Sequence, residues 1–169
     1  MLDRDELAAW LRLTETPGLG PAAARRLLGA FGSPQAIFDA SPALWTRAVG
    51  ESAAQALAEP PATLAELIDH TWDWLQAEAP AAPRHLLALG DAEYPQLLLE
   101  AADPPLLLHA VGRLELLAAP AVAIVGSRNP TPQGALDAHE FGAALSGAGL
   151  CVISGLALGI DGAAHEGAL

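Results

Sequence analysis

The sequence contains no lysine, a single cysteine and few aromatic residues, and none of its apolar runs approaches the ~20 residues of a membrane-spanning helix. A phosphate site built around a P-loop lysine is therefore excluded. Cys151 alone cannot form an intrachain disulfide, which fits a reducing compartment, and its place in a strand-like run reads as a small buried hydrophobe. The start, Met1-Leu2-Asp3-Arg4-Asp5-Glu6, is charged and lacks the apolar segment of a signal peptide. A cytoplasmic protein without a membrane partner is the expectation. Eight arginines stand against 20 acidic residues, for a formal net charge of -12. Such a body repels a polyanion. Any phosphate binding has to come from locally arranged backbone N–H groups and a few arginines. No HExxH, CxxC or paired-histidine spacing is present, so neither a metal nor a cofactor is expected.

What is there is an alanine- and leucine-rich chain, 52% hydrophobic over 169 residues, enough for one or two cored domains. Its front reads as compact helices over residues 1–80. Leu7, Trp10 and Leu11 recur at helical spacing behind an acidic first turn. Thr16-Pro17-Gly18-Leu19-Gly20 stops that helix, and Pro21 opens the next. Ser33-Pro34 and Ser41-Pro42 pair an N-cap with a proline at the first helical position. A longer helix is predicted over 63–79. Pro80 to Pro83 marks a boundary, and residues 84–169 read as α/β. Short strands are predicted at 84–90 and 105–112.

Two buried parallel strands follow, Ala121-Val122-Ala123-Ile124-Val125 and Leu150-Cys151-Val152-Ile153, separated by a helix that opens at Thr131-Pro132. Each strand runs into a glycine loop, Gly126-Ser127-Arg128 after the first and Ser154-Gly155 after the second. Ligands of parallel sheets bind beyond the carboxyl ends of the strands, so both loops point to one anion-binding crevice. Gly126 allows a tight turn, and the N–H groups of Ser127 and Arg128 then face an anion, with the guanidinium beside them. Gly155 plays the same part. A helix beginning near Gly159 aims its positive end at the crevice. Asp161, in its first turn, either caps free N–H groups or holds Arg128. His165 shares a helix face with Asp161 and reads as a packed or hydrogen-bonded side chain. Ser127 and Ser154 have no general base beside them in sequence, and catalysis is not expected.

The Gly18-Leu19-Gly20 turn has two readings. It is either a helix-hairpin-helix corner offering N–H groups to a phosphate, with Arg25 and Arg26 nearby, or a plain corner of an interaction bundle. Trp10, Trp45, Trp72 and Trp74 lie in helical segments and read as core or interface rather than as base-stacking platforms.

Tyr94-Pro95-Gln96-Leu97-Leu98, Asp103-Pro104-Pro105-Leu106-Leu107-Leu108, Ile124-Val125-Gly126-Ser127-Arg128 and Ser154-Gly155-Leu156-Ala157-Leu158-Gly159-Ile160-Asp161-Gly162-Ala163-Ala164-His165 follow one another in the order and spacing of one family. Together they resemble the DNA-processing protein A family (DprA, also called Smf), from about Arg84 onward. The resemblance implies an incomplete Rossmann-like parallel sheet preceded by a small all-helical, sterile-alpha-motif-like domain. It also implies a cytoplasmic, non-enzymatic mediator that binds single-stranded DNA in natural transformation, helps load the RecA recombinase, and forms a homodimer when full-length. By position, Gly126, Ser127, Arg128, Ser154 and Gly155 contact DNA phosphate, and Gly159, Asp161 and His165 shape the adjoining loop and helix. Gly18 and Gly20 add a hairpin contact only under the first of the two readings of their turn. Leu158 stands where many relatives carry a positive residue. A doubly wound sheet needs more strands than are seen, so the chain is read as the amino-terminal part of a longer protein. The competing expectation is a nucleotide-binding enzyme or sensor of the lysine-decarboxylase-like phosphoribohydrolase group, with a nucleoside monophosphate in the same crevice.

Overall fold

The computed structural model describes residues 2–79 and 81–169. Met1, the first residue of the charged start, and Pro80, the first of the proline boundary, lie outside the described residues. The chain divides into two compact units, one reaching to Arg113 and one spanning Leu114–Leu169. Residues 81–83 therefore lie within the first unit.

The first unit holds α1 (Arg4–Glu15), α2 (Pro21–Phe31), α3 (Pro34–Asp39), α4 (Pro42–Val49), α5 (Glu51–Leu57) and α6 (Leu64–Gln76), followed by β1 (Arg84–Ala88), α7 (Gln96–Leu99) and β2 (Leu107–Val111). Local chemistry starts these helices. The Asp3 carboxylate accepts the Glu6 amide at 2.8 Å, and the Ser33 hydroxyl accepts that of Ala36 at 3.2 Å. Ser41 precedes its proline without a side-chain cap. The helix α5 was not predicted. It begins directly after Gly50, whose φ of 87° turns the chain out of α4.

Leu7 and Leu11 of α1 pack with Leu86 of β1 and with Leu67, Ile68, Trp72 and Leu75 of α6. Trp10 and Leu13 face the other way, into a cluster with Leu19, Leu27, Ile37, Trp45 and Leu57. Trp45 also donates its indole N–H to the Ile37 carbonyl at 2.6 Å. Arg12 lies over the Phe38 ring at 4.0 Å and donates to the Leu57 carbonyl at 2.9 Å; burial lowers its pKa from the usual guanidinium value.

The strands β1 and β2 pair with each other, antiparallel, from Arg84 opposite Val111 to Ala88 opposite Leu107. They form their own sheet and add nothing to the parallel one. The connection between them explains the direction: it carries only the single-turn α7, without the crossover helix that a parallel return needs. Tyr94, 1% exposed, donates its hydroxyl to the Pro105 carbonyl at 2.8 Å and so joins the Tyr-Pro and Asp-Pro-Pro blocks.

The second unit begins with a 3₁₀ turn at Leu114–Ala118 and continues with β3 (Ala121–Ala123), α8 (Pro132–Gly147), β4 (Cys151–Ile153) and α9 (Ile160–Ala168). The strands are parallel, with Val122 opposite Val152. The Thr131 hydroxyl caps α8 by accepting the Gly134 amide at 3.1 Å. One face of the sheet is packed: Val152 meets Ala138 of α8 and Ala164 of α9, with Ile124, Leu145 and Ile160 around them.

The expectation that both strands are buried on both faces is corrected here. Ala121 and Ala123 are exposed, Ile153 is 53% and Val125 69% exposed, and Cys151 is half-buried. Among the described residues of this unit, no element covers the second face. The helices α8 and α9 touch through their backbones. A Cβ on Gly142 would lie 2.2 Å from the Ala164 carbonyl oxygen, and one on Gly167 would lie 2.0 Å from that of His139.

Candidate functional site

The two parallel strands end side by side. The Ile124 amide donates to the Ile153 carbonyl at 2.9 Å as the last rung, and both chains then turn into their glycine loops. Asp161, only 5% exposed, ties the loops together. Its Oδ1 accepts the Gly126 amide at 3.1 Å and its Oδ2 the Gly155 amide at 3.0 Å. Of the two roles foreseen for Asp161, the structure shows the capping one. The N–H groups it satisfies lie at the strand tips, outside its own helix.

The amides of Gly126 and Gly155 are thus both engaged by Asp161, and donors for an anion have to come from their neighbours. Two amides at the start of α9 are likewise engaged by the main chain. The Ile160 amide donates to the Ser127 carbonyl at 3.1 Å, and that of Gly162 to the Ala157 carbonyl at 3.0 Å. The close approach needs glycine at two places. A Cβ on Gly126 would lie 2.8 Å from the Ile160 side chain. At Gly159 (φ 92°) a Cβ would lie 2.3 Å from the Ser127 oxygen. Leu156 adopts a φ of 52°, a left-handed conformation unusual for a leucine.

What remains free around this knot is chemically consistent. The Ser127 hydroxyl accepts the Asn129 amide at 3.1 Å, and the Ser154 hydroxyl accepts that of Leu156 at 2.9 Å. Both therefore act as acceptors, which leaves each hydroxyl proton available for donation outward. The amides of Ser127 and Arg128 have no partner among the described residues. Arg128 is exposed, and none of the ion pairs of the described residues involves it. It is also the one lysine or arginine of residues 114–169, among Glu115, Asp137, Glu140, Asp161 and Glu166.

Leu156 and Leu158 project beside the loop, 71% and 83% exposed. His165 is half-buried on α9 and His139 exposed on α8. No hydrogen bond joins either histidine to Ser127 or Ser154 among the described residues. No group of three or more His, Cys, Asp or Glu side chains is placed to hold a metal there.

The hairpin of the first unit is a separate feature. Leu19 is buried, and its amide donates to the Thr16 carbonyl at 3.1 Å. Gly18 (φ 81°) and Gly20 are exposed, with amides unpartnered among the described residues. Arg25 is spent: it pairs with Asp103 and donates to the Pro104 carbonyl at 3.2 Å. Arg26 remains exposed. Trp10 and Trp45 are core residues at 6% exposure, and Trp72 and Trp74 are half-buried.

The role of Asp161 as the joint between two loops was not read from the sequence. Its partners lie 35 and six residues away. The available signal was an acid in the first turn of a helix that follows two glycine loops.

A family profile described as DNA recombination-mediator protein A matches residues 85–169, and one described as a SAM-like helix-hairpin-helix tandem matches residues 11–59. The chain is 31% identical to protein Smf of Synechocystis sp. over 170 aligned residues, 97% of this chain and 41% of that protein. It is 47% identical to the DNA processing protein DprA of Streptococcus pneumoniae over 76 residues, 45% of this chain and 27% of that protein. The X-ray structure of DNA processing protein A from Streptococcus pneumoniae superimposes with a TM-score of 0.66 at 26% identity, covering 99% of this chain and 54% of that one. The chain thus spans less than half the length of these two curated relatives. Among the described residues, no helix is long and apolar enough to cross a membrane.

Proposed function

The chain belongs to the DNA recombination-mediator protein A family, and on that premise we propose that it is part of a mediator that binds single-stranded DNA by its sugar-phosphate backbone. The observation that carries the proposal is the exposed Arg128 beside the unpartnered Ser127 and Arg128 amides, on a loop fixed by the buried Asp161. A phosphate there meets two N–H donors, a hydroxyl proton and a guanidinium fork. Gly126 and Gly155 serve by letting the backbone approach, and Ser154 by lining the crevice. Gly159, Asp161 and His165 hold the shape. The hairpin amides of Gly18 and Gly20 offer a second phosphate contact on the helical unit.

The resemblance extends the proposal to the whole protein: a homodimer that helps load RecA during natural transformation, acts in the cytoplasm and performs no catalysis of its own. The acidic body makes the interaction local, so few phosphates are engaged.

Fluorescence anisotropy with oligothymidylate at several salt concentrations tests the site. Each phosphate contact contributes a log–log slope of about -0.7 on single strands. Arg128→Ala is expected to lower affinity and flatten that slope by about one contact. Unchanged affinity and slope would overturn the assignment. Calorimetry with AMP separates the enzyme alternative, which requires nucleotide binding with release of the free base.

A further inference from the structure

A cleft of about 320 Å³ opens on the first unit, lined by His70, Thr71, Trp74 and His109. We propose that it binds a single nucleobase. The proposal rests on the single-strand reading above and adds a base-recognizing subsite to a protein otherwise argued to grip phosphates. The helix α6 sets His70 and Trp74 one turn apart on one face, with Thr71 three residues before Trp74. The strand β2 supplies His109.

The ring walls are arranged, not merely adjacent. Trp74 and His109 meet at 5.4 Å between centroids with their planes 62° apart. Arg84 lies over the indole at 5.6 Å and donates to the Trp74 carbonyl at 3.0 Å, which fixes the tryptophan from the side of β1. Trp10 and Trp45 are sealed in the core, whereas Trp74 is half-buried at the cleft.

The second, independent observation is Thr71. It is only 7% exposed, yet its hydroxyl has no hydrogen-bond partner among the described residues. Thr14, Thr16 and Thr46 each turn their hydroxyls onto a carbonyl one turn back. Among the described residues Arg12 Nε is the one sealed side-chain atom left unpaired, so the Thr71 oxygen is within reach of solvent at the cleft wall and can exchange a water for the polar edge of a ligand.

The lining dictates the ligand's chemistry. Three aromatic rings and one hydroxyl, with no carboxylate among them, suit a flat heteroaromatic ring that carries donors and acceptors on its edge. The volume is at the small end of the ~300–1,000 Å³ range of ligand sites. It holds one base and its sugar and excludes a duplex. A base stacked on an aromatic side chain is held without regard to sequence.

The test titrates the whole chain with oligothymidylate and with an abasic oligomer of equal length, following tryptophan fluorescence and anisotropy. Oligothymidylate is expected to quench the fluorescence, and the abasic oligomer is not. Trp74→Leu is expected to remove the quench and weaken oligothymidylate binding about 5- to 10-fold, leaving abasic affinity unchanged. Thr71→Val, nearly isosteric, is expected to weaken oligothymidylate binding several-fold, and it decides the matter should Trp74→Leu unfold.

If both variants bind oligothymidylate as the parent does while Arg128→Ala binds it more weakly, the cleft proposal falls and the single-strand reading stands. If the parent chain binds neither oligomer, both fall. If thymidine monophosphate quenches as strongly as the oligomer at equal base concentration, the base site stands and its source is a free nucleotide.

Discussion

The carboxylate of Asp161 holds the amide of Gly126 at 3.1 Å across 35 residues of sequence, and its second oxygen holds Gly155 at 3.0 Å. One buried side chain thereby sets the spacing of two strand tips. Asp161→Asn keeps one acceptor but turns an NH₂ group toward the other amide. That leaves a buried donor unpaired, at a cost of about 1–3 kcal/mol. Thermal unfolding of Asp161→Asn is expected to fall accordingly, and Asp161→Ala to fall further. An unchanged midpoint for both would show that the loops hold themselves.

The contact of α8 with α9 depends on absent side chains. Gly142→Ala places a methyl 2.2 Å from the Ala164 oxygen, where backbone must move. Destabilisation of about 1–3 kcal/mol is expected from overpacking. Gly29→Ala, in α2 with nothing within 4 Å of its added Cβ, is the control. It is expected to stabilise by about 0.5–1 kcal/mol. Denaturant melts of the two variants should move in opposite directions.

Burial pushes the Tyr94 phenol above its ordinary pKa. The folded state then retains a proton that the unfolded chain has lost once pH exceeds about 10. Stability from this group is fully present below that pH and declines as pH rises through the folded value. Tyr94→Phe loses the hydrogen bond to the Pro105 carbonyl, so it starts lower, yet it should show a flatter decline above pH ~10. Parallel pH-stability curves for the two proteins would contradict this.

Much of the fold was legible because its signals are local. Pro21, Ser33-Pro34, Ser41-Pro42 and Thr131-Pro132 each announced a helix start within a few residues. The helix α5 escaped because only Ala54 and Leu57 of its seven residues are buried, too few for a visible stripe. The pairing of β1 with β2 was not legible either. Apolar runs such as Leu86-Leu87 and Leu106-Leu107-Leu108 read alike in parallel and antiparallel sheets, and the missing crossover helix shows only in the structure.

At the candidate site, glycine and serine positions stood out from the strands that precede them. Which amides remain free did not, because that depends on where Asp161 points. The same holds for Arg25, whose charge looked available until Asp103 came to meet it. The cleft beside Trp74 is assembled from a helix and a strand that no motif connects.

Amide chemical shifts of the whole chain, recorded while oligothymidylate is added, test the strand-tip cradle most directly. The Ser127 and Arg128 amides are expected to shift most within residues 114–169, with Gly126 and Gly155 held in their bonds to Asp161 and moving less. Saturating shifts elsewhere in that unit, with Ser127 and Arg128 unmoved, would contradict the account.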